Sequence, residues 1–187
     1  MNKLFERYIE KAKEADIDPR GSKESIQWFS RVVRKDRVIN DITKITEGLD
    51  KPRFKPGEMM TYSYNPKTKD KLDFYDEHPL IIFLDKTKDG WYGLNLHYLS
   101  PSIRAKVFEE LEYGNKGLAR VAYSLSKNPK TEACLKRYLA RHVVSKPKVV
   151  PKTMWEIAIA LPFEKFIKES NKTVWNLSKR KRNARNR

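Results

Sequence analysis

Two neighbouring segments in the middle of the chain show the clearest pattern of apolar and polar positions. Leu80 to Leu84 is an unbroken apolar run, which is typical of a strand buried on both faces. The dipeptide Asp89-Gly90 favours a tight hairpin turn, and residues 91–98 then alternate between apolar and other side chains. The pattern predicts a β-hairpin at the centre of a sheet. Gly93 within its second strand indicates a bend or a close backbone approach.

Polar residues occupy one face of the second hairpin strand. Asn95 and His97 alternate with Leu94 and Leu96, so we expect the two polar side chains to point away from the leucines. They either hydrogen-bond across the strands and fix the hairpin, or belong to a surface that contacts a partner. The structural role is favoured because buried polar groups are usually satisfied locally.

Helical spacing predicts N-terminal helices within residues 1–47, one from Asn2 to about Ala15 and a second from Ser22 or Ser25 onward. A core domain is predicted over 48–171, beginning with a strand at 58–64. Within it, 100–141 has the pattern of a helical insertion, with helices starting near Ser100 and Leu118 and at Thr131.

After this insertion, the spacing of apolar residues changes from helical to strand-like. Residues 142–150 have β-type composition, and Trp155 to Leu161 alternate bulky with small side chains, which predicts a last strand. A short amphipathic helix is predicted at Phe163 to Ile167. Residues 172–187 contain no acidic residue and predict a basic tail that is disordered when free, so removing 176–187 should leave the fold intact.

This order of elements predicts an α+β fold. Three strands, a helical excursion and two further strands suit a small twisted barrel of the Src-homology-3-like type. An open sheet with helices on one face would produce much the same pattern.

Charge adds the first indication of a partner. The chain has 40 Lys and Arg against 24 Asp and Glu, a formal charge of +16. This excess predicts a polyanionic partner, most commonly nucleic acid, with a membrane surface as the competitor. No apolar run approaches the ~20 residues that span a bilayer, so no membrane partner is expected. The N-terminus lacks the features of a signal peptide, and the single cysteine, Cys134, excludes an internal disulfide, which together predict an intracellular protein.

Clusters of basic residues are the candidate DNA contacts. Four lie in the second helix, three in the helical insertion and the rest in the C-terminal tail, where phosphates would relieve their mutual repulsion. The candidates are Arg31, Arg34, Lys35, Arg37, Lys136, Arg137, Arg141, Lys179, Arg180, Lys181, Arg182, Arg185 and Arg187. A solvated basic face would explain the same pattern.

Tryptophans beside basic residues suggest base stacking. Trp91 lies opposite the apolar face of its strand and Trp175 lies in the basic tail, so these two are the candidates for a surface position. Aromatic residues at periodic positions are more often part of a core.

Catalytic motifs are not evident in the sequence. It contains no Gly-rich phosphate loop, no HExxH, no paired cysteines and no Gly-x-Ser-x-Gly. Its three histidines lack metal-ligand spacing, so no metal and no cofactor is expected. Asp76, Glu77, Asp85 and Lys86 could form the acidic cluster of a metal-dependent nuclease, which is the enzymatic alternative.

Two segments carry a resemblance to a protein family. Tyr75, Asp76, Pro79 and Leu80 form one, and the run Gly-x-Asn-x-His-Tyr at 93–98 forms the other. With the surrounding stretches from Ser25 to Trp175, the sequence resembles a set of small basic virion proteins of T-even-like tailed phages, of the DNA end-protector or head-completion kind. Asp73-Phe74 stand where a leucine-proline would usually precede the tyrosine.

The resemblance implies a non-enzymatic protein that holds the linear genome end and shields it from host exonuclease. Its expected partners are double-stranded DNA and other phage virion proteins. Its expected locations are the host cytoplasm during assembly and the head-to-tail junction of the virion. The alternative from another class is a structural neck or baseplate protein, whose charge serves assembly with acidic protein surfaces.

Overall fold

The computed structural model describes residues 3–17, 23–35, 54–113, 118–128, 131–161 and 164–185. The described helices are α1 (Lys3–Glu14), α2 (Lys23–Lys35), α3 (Pro101–Tyr113), α4 (Leu118–Ser126), α5 (Trp155–Ala160) and α6 (Asn171–Arg185). The described strands are β1 (Met59–Thr61), β2 (Tyr75–Asp76), β3 (Leu80–Thr87), β4 (Gly90–Asn95), β5 (Leu135–Leu139), β6 (Lys148–Val150) and β7 (Phe166–Ile167). The predicted α+β class is confirmed.

The main sheet is antiparallel, with five strands in the order β5-β4-β3-β1-β6. The predicted central hairpin is confirmed as β3 and β4, in which Ile82 pairs with Leu94. The pairing shifts register between Phe83 and Asp85. The described strands β5 and β6 lie at opposite edges, so the sheet is open. A separate two-stranded sheet joins β2 to β7.

Both faces of the main sheet are covered by apolar side chains. One face contributes Ile82 and Leu94 to the larger core, which also takes Tyr8 from α1 and Phe29 from α2. The other face carries a second, aromatic-rich cluster, formed by Met60, Tyr62, Tyr64, Ile81, Phe83, Trp91 and Tyr138. This explains why β3 is an unbroken apolar run.

Gly93 of β4 lies against the side chain of Ile81 on β3. A Cβ at this position would lie 2.5 Å from Ile81 Cδ1, well inside van der Waals contact. The close approach at Gly93 is therefore made by a side chain and not by backbone. Its neighbour Tyr92 is 40% exposed at the surface of the same strand.

The helix predicted from Thr131 to Leu139 is wrong. A short 3-10 turn at Glu132–Cys134 leads directly into β5, which pairs with β4. The spacing of Cys134, Leu135 and Tyr138 fits a helix or a strand over so short a segment, and pairing with the open edge of β4 decides between them. Within 100–141, the described helices are therefore α3 and α4.

The strand predicted from Trp155 to Leu161 is also wrong. These residues form α5, in which Trp155, Glu156, Ile157, Ala158 and Ile159 are all buried. Complete burial removes the polar face that would reveal helical periodicity. The Ser25 hydroxyl of α2 donates a hydrogen bond to Glu156 Oε1 inside this interface.

Two C-terminal predictions need correction. In the segment predicted as a short helix, Phe166 and Ile167 form β7, while Phe163 lies outside the described residues. The disordered basic tail predicted over 172–187 is instead helical through Arg185. Val174 and Ser178 of α6 are buried, so the first half of this helix packs on the fold. A few buried residues are enough to hold this helix on the fold. The high charge of the whole segment hides them when the sequence is judged by composition.

Candidate nucleic-acid interface

A buried polar network lies beneath the second face of the sheet. Asp76 Oδ2 accepts a hydrogen bond from Asn95 Nδ2 at 3.0 Å and lies 2.7 Å from His97 Nδ1. Asp76 Oδ1 accepts from the backbone N–H of His78 at 3.0 Å. Asn95 Nδ2 also donates to the Tyr138 hydroxyl on β5, at 3.1 Å. The predicted cross-strand hydrogen-bonding role of Asn95 is confirmed.

The network favours the ionised form of Asp76. Burial opposes ionisation of this carboxyl, but the neighbouring His97 and the hydrogen bonds from His97, Asn95 and the His78 N–H outweigh it and lower the pKa of Asp76. Burial raises the pKa of Tyr138 well above its ordinary value. Asp76 is therefore an anion and Tyr138 a protonated phenol at neutral pH.

Helix α6 is attached to the turn that follows β4. Trp175 Nε1 donates a hydrogen bond of 2.9 Å to the backbone carbonyl of His97. The Arg104 guanidinium of α3 lies 5.6 Å from the centre of the Trp175 ring and forms a buried ion pair of 2.9 Å with Glu164. At the start of α6, the backbone N–H of Thr173 donates to the Ser170 hydroxyl, which acts as an N-cap. The helix therefore has a defined position.

These elements enclose a cleft of about 440 Å³ between the edge strand β5, the loop before β2 and helix α6. Lys168 holds that loop in place, because its ammonium donates to the carbonyls of Lys69, Asp70 and Leu72. The lining is aromatic and polar, and is formed by Tyr64, Pro66, Lys67, Thr68, Leu72, Asp73, Phe74, Tyr75, Asp76, Asn95, Tyr98, Ala133, Lys136, Arg137, Tyr138, Leu139, Leu177 and Ser178.

Two of the predicted basic contacts line this cleft. The Lys136 ammonium lies 4.1 Å from the centre of the Tyr98 ring. The exposed guanidinium of Arg137 forms two hydrogen bonds with Asp89, of 2.7 and 2.9 Å. These bonds raise the pKa of Arg137 and lower the pKa of Asp89. Lys136 and Arg137 thus lie beside α6, which carries Lys179 immediately after Ser178.

Arg141 lies at a neighbouring depression, just beyond the end of β5. It shares this depression, of about 520 Å³, with Lys86 and Lys88 beside the β3–β4 turn. The sequence places Lys86 in a candidate acidic cluster and offers no reason to single out Lys88. The sequence alone does not show that the β3–β4 turn lies beside the end of β5, because this position depends on how the strands pair.

The remaining basic candidates lie elsewhere or farther along α6. Arg31 is exposed on α2, which packs on α5 and does not line the cleft. The backbone of Arg34 and Lys35 is helical, and Arg37 and Arg187 lie outside the described residues. Lys179 is exposed, and the helical backbone continues through Arg180, Lys181, Arg182 and Arg185.

The two tryptophan candidates differ in burial. Trp91 is 7% exposed, its indole N–H donates to the Tyr62 hydroxyl at 3.0 Å, and its ring contacts Phe54. Trp175 is half-buried between Arg104 and the His97 carbonyl. The predicted surface position is wrong for Trp91, because packing on the second sheet face uses its ring. The half-buried aromatics at the cleft are Phe74 and Tyr75, which the sequence pattern does not mark as stacking residues.

The acidic residues of the nuclease alternative occupy different environments. Asp76 is buried and engaged by protein donors, whereas Asp85 is exposed and accepts a hydrogen bond from the backbone N–H of Lys86. Among the described residues, no three His, Cys, Asp or Glu side chains are grouped so as to hold a metal ion. In the same part of the chain, no helix has the length and apolar character needed to cross a membrane.

The fold and the cleft define a basic α+β protein with an aromatic, cation-rimmed depression beside a C-terminal basic helix. The model of the family described as phage T4 terminal DNA protecting protein matches residues 3–181. The chain belongs to this family, which confirms the resemblance to DNA end protectors. Comparison with curated proteins and with solved structures gave no match.

Proposed function

We propose that this protein binds the ends of linear double-stranded phage DNA and protects them, without catalysing a reaction. Membership of the terminal DNA protecting family supports the protective role. The formal charge of +16 supports duplex DNA as the partner, because contacts between Lys or Arg and phosphate supply most of the sequence-independent affinity.

The position of α6 carries this proposal. Leu177 and Ser178 of the helix line the same cleft as Lys136 and Arg137 of β5. Trp175 and Val174 fix the helix, so the basic stretch that begins at Lys179 starts beside the cleft. Basic residues from two distant parts of the sequence therefore act together on one DNA backbone.

We infer the place of action from the family, and the fold type and the DNA contacts from the structure. The protein acts in the virion at the head-to-tail junction, after assembly in the host cytoplasm, and contacts other virion proteins there. The antiparallel order β1, β3, β4 and β5 supports the comparison with Src-homology-3-like barrels. The DNA contacts are the basic residues of β5, the turn after it and α6.

Binding to linear and to covalently closed circular duplex, at several salt concentrations, tests the function. We expect linear DNA to bind more tightly per molecule, with an affinity that falls steeply as salt rises. Equal binding of linear and circular DNA would contradict end recognition. Affinity that does not change with salt would contradict the phosphate contacts.

A pair of double variants tests the location of the contacts. Lys136→Gln with Arg137→Gln removes two charges at the cleft, and should weaken binding and reduce its salt dependence. Lys106→Gln with Arg120→Gln removes two exposed charges from α3 and α4, outside the cleft, and is the matched control. Equal losses of affinity in both double variants would show that net charge, rather than this surface, determines binding.

A further inference from the structure

We propose that the cleft receives the terminal nucleotide of one DNA strand, separated from its complement, with the base against the aromatic lining and the phosphates at the basic rim. This inference rests on the proposed DNA-end function. It specifies which part of the end the protein recognises, and therefore why an end would be distinguished from the interior of a duplex.

The size of the cleft suits a single nucleotide. Its volume of about 440 Å³ falls within the range of roughly 300–1,000 Å³ that is typical of sites for small molecules. A base pair within a continuous duplex cannot enter such a space, because both strands and their neighbours would have to follow. A terminal nucleotide can enter once its own base pair, the last of the duplex, is broken.

The lining supplies aromatic rings that a base can contact. Phe74 and Tyr75 are half-buried, so part of each side chain remains accessible. Phe74 is supported from behind by Phe166, at 6.1 Å between ring centres, and contacts Tyr98 at 5.9 Å. A rigidly held ring suits base stacking, which tolerates any of the four bases because each has a π-face.

Polar groups at the cleft can contact the edge of the base. The Tyr138 hydroxyl accepts a hydrogen bond from Asn95 Nδ2, and no acceptor for its own proton is found in the described part of the chain. Tyr138 is 4% exposed, so a donor in this position lacks bulk water as a partner. Bases offer ring nitrogen and carbonyl acceptors that a phenol can reach. The elevated pKa of Tyr138 keeps that proton in place.

The charges on the lining favour a phosphate at the rim. Lys67 and Lys136 contribute positive charge against the exposed Asp73, whereas the charge of Arg137 is shared with Asp89. The remaining acid of the lining, Asp76, is buried and accepts hydrogen bonds from Asn95 and from the backbone N–H of His78. Lys179, which is exposed, follows the cleft-lining residues Leu177 and Ser178 of α6 directly and adds a further positive charge near the rim.

The energetics predict a preference among DNA ends. Removing a base from its stack and its partner costs a few kcal/mol, and costs least for a base that is already unpaired. A duplex with one unpaired nucleotide of the favoured polarity should therefore bind more tightly than a blunt duplex. An internal base has to be removed from between two neighbours and should not enter the cleft.

Fluorescence of 2-aminopurine tests this inference with the full chain. The probe is placed in otherwise identical short duplexes at the 5′ terminus, at the 3′ terminus or in the interior. We expect binding to change the emission strongly at one terminus and little in the interior. Binding that leaves both termini unchanged would overturn the terminal-nucleotide site while leaving DNA binding established. Absence of binding to every duplex would instead count against the proposed function itself.

Two variants test whether the ring of Phe74 contacts the terminal base. Phe74→Leu keeps an apolar side chain but removes the ring, and should weaken binding to the overhang duplex about tenfold, the change that corresponds to ~1.4 kcal/mol of stacking. Tyr123→Leu removes a ring that is exposed on α4, outside the cleft, and is the control. Equal affinity of the Phe74 variant and the control would contradict the assignment. If Phe74→Leu fails to fold, the comparison of probe positions in the unmodified protein decides.

Discussion

The indole N–H of Trp175 donates a hydrogen bond of 2.9 Å to the backbone carbonyl of His97, 78 residues earlier in the sequence. This bond joins the C-terminal helix to the turn after the central hairpin. The side chain of the same histidine reaches the buried network, where His97 Nδ1 lies 2.7 Å from Asp76 Oδ2. A single turn therefore connects the buried network, the cleft and the helix that carries the C-terminal basic residues.

Replacement of Trp175 by Phe removes the donor but keeps a ring beside Arg104. We expect the free energy of unfolding to fall by about 1 kcal/mol, because the His97 carbonyl loses this hydrogen bond and keeps the longer one from Arg104 Nη2, at 3.4 Å. Denaturant unfolding measures this change. Trp28→Phe is the control, since Trp28 is half-buried and its indole N–H has no acceptor among the described residues. An equal decrease in both variants would show that ring size, not the hydrogen bond, accounts for the effect.

Two truncations separate stability from DNA binding. Removal of 180–187 leaves Val174, Trp175 and Ser178 in place, so the melting temperature should change little while affinity for DNA falls. Each phosphate interaction that the truncation removes should reduce the slope of log affinity against log salt by about 0.9. Removal of 171–187 also deletes the buried anchors and should lower the melting temperature clearly. Equal melting temperatures for the two truncations would show that α6 does not stabilise the fold.

Asp76→Asn removes the charge at the centre of the buried network. A hydrogen bond to a charged partner typically contributes about 1.5–3 kcal/mol, so the variant, which keeps the shape of the side chain but loses its charge, should be clearly less stable at neutral pH. Thermal and denaturant unfolding measure the difference. Asp70→Asn changes an exposed carboxylate in the loop at the cleft and is the control, with little expected change in stability.

The pH dependence of stability in wild type and Asp76→Asn gives a second test. The folded-state pKa of Asp76 lies below its ordinary value of 3.8, so the unfolded chain binds more protons in that range. The stability contributed by Asp76 is therefore complete above the ordinary value and is lost as the pH falls through the lower folded value. The difference in unfolding free energy between wild type and Asp76→Asn should shrink on acidification below about pH 4. A constant difference would contradict an ionised Asp76 in the folded protein.

The sequence correctly predicts the elements that have one apolar face, and the strand β3, which is apolar on both faces. The hairpin of β3 and β4 and the N-terminal helices α1 and α2 follow from periodicity and turn chemistry. The predictions for β5 and α5 are wrong because these short segments fit both periods, and long-range pairing or complete burial decides their conformation.

The candidate site is only partly foreseeable for a related reason. Basic residues form clusters in the sequence, and Lys136 and Arg137 do line the cleft. Phe74 and Tyr75 reach it only because β2 pairs with β7, about ninety residues later in the sequence. No local pattern records such a pairing, so the aromatic part of the site required the folded chain.

Protection of DNA from a processive exonuclease that starts at ends tests the central claim most directly. Linear duplex is incubated with the wild-type protein, with the Lys136→Gln and Arg137→Gln double variant, or with the Lys106→Gln and Arg120→Gln control, each at the same concentration, and intact DNA is followed over time. We expect that wild type and control preserve linear DNA, that the cleft variant protects weakly, and that excess closed circular DNA does not abolish protection. Degradation at the unprotected rate in the presence of wild-type protein, or protection abolished by circular DNA, would contradict binding and protection of DNA ends.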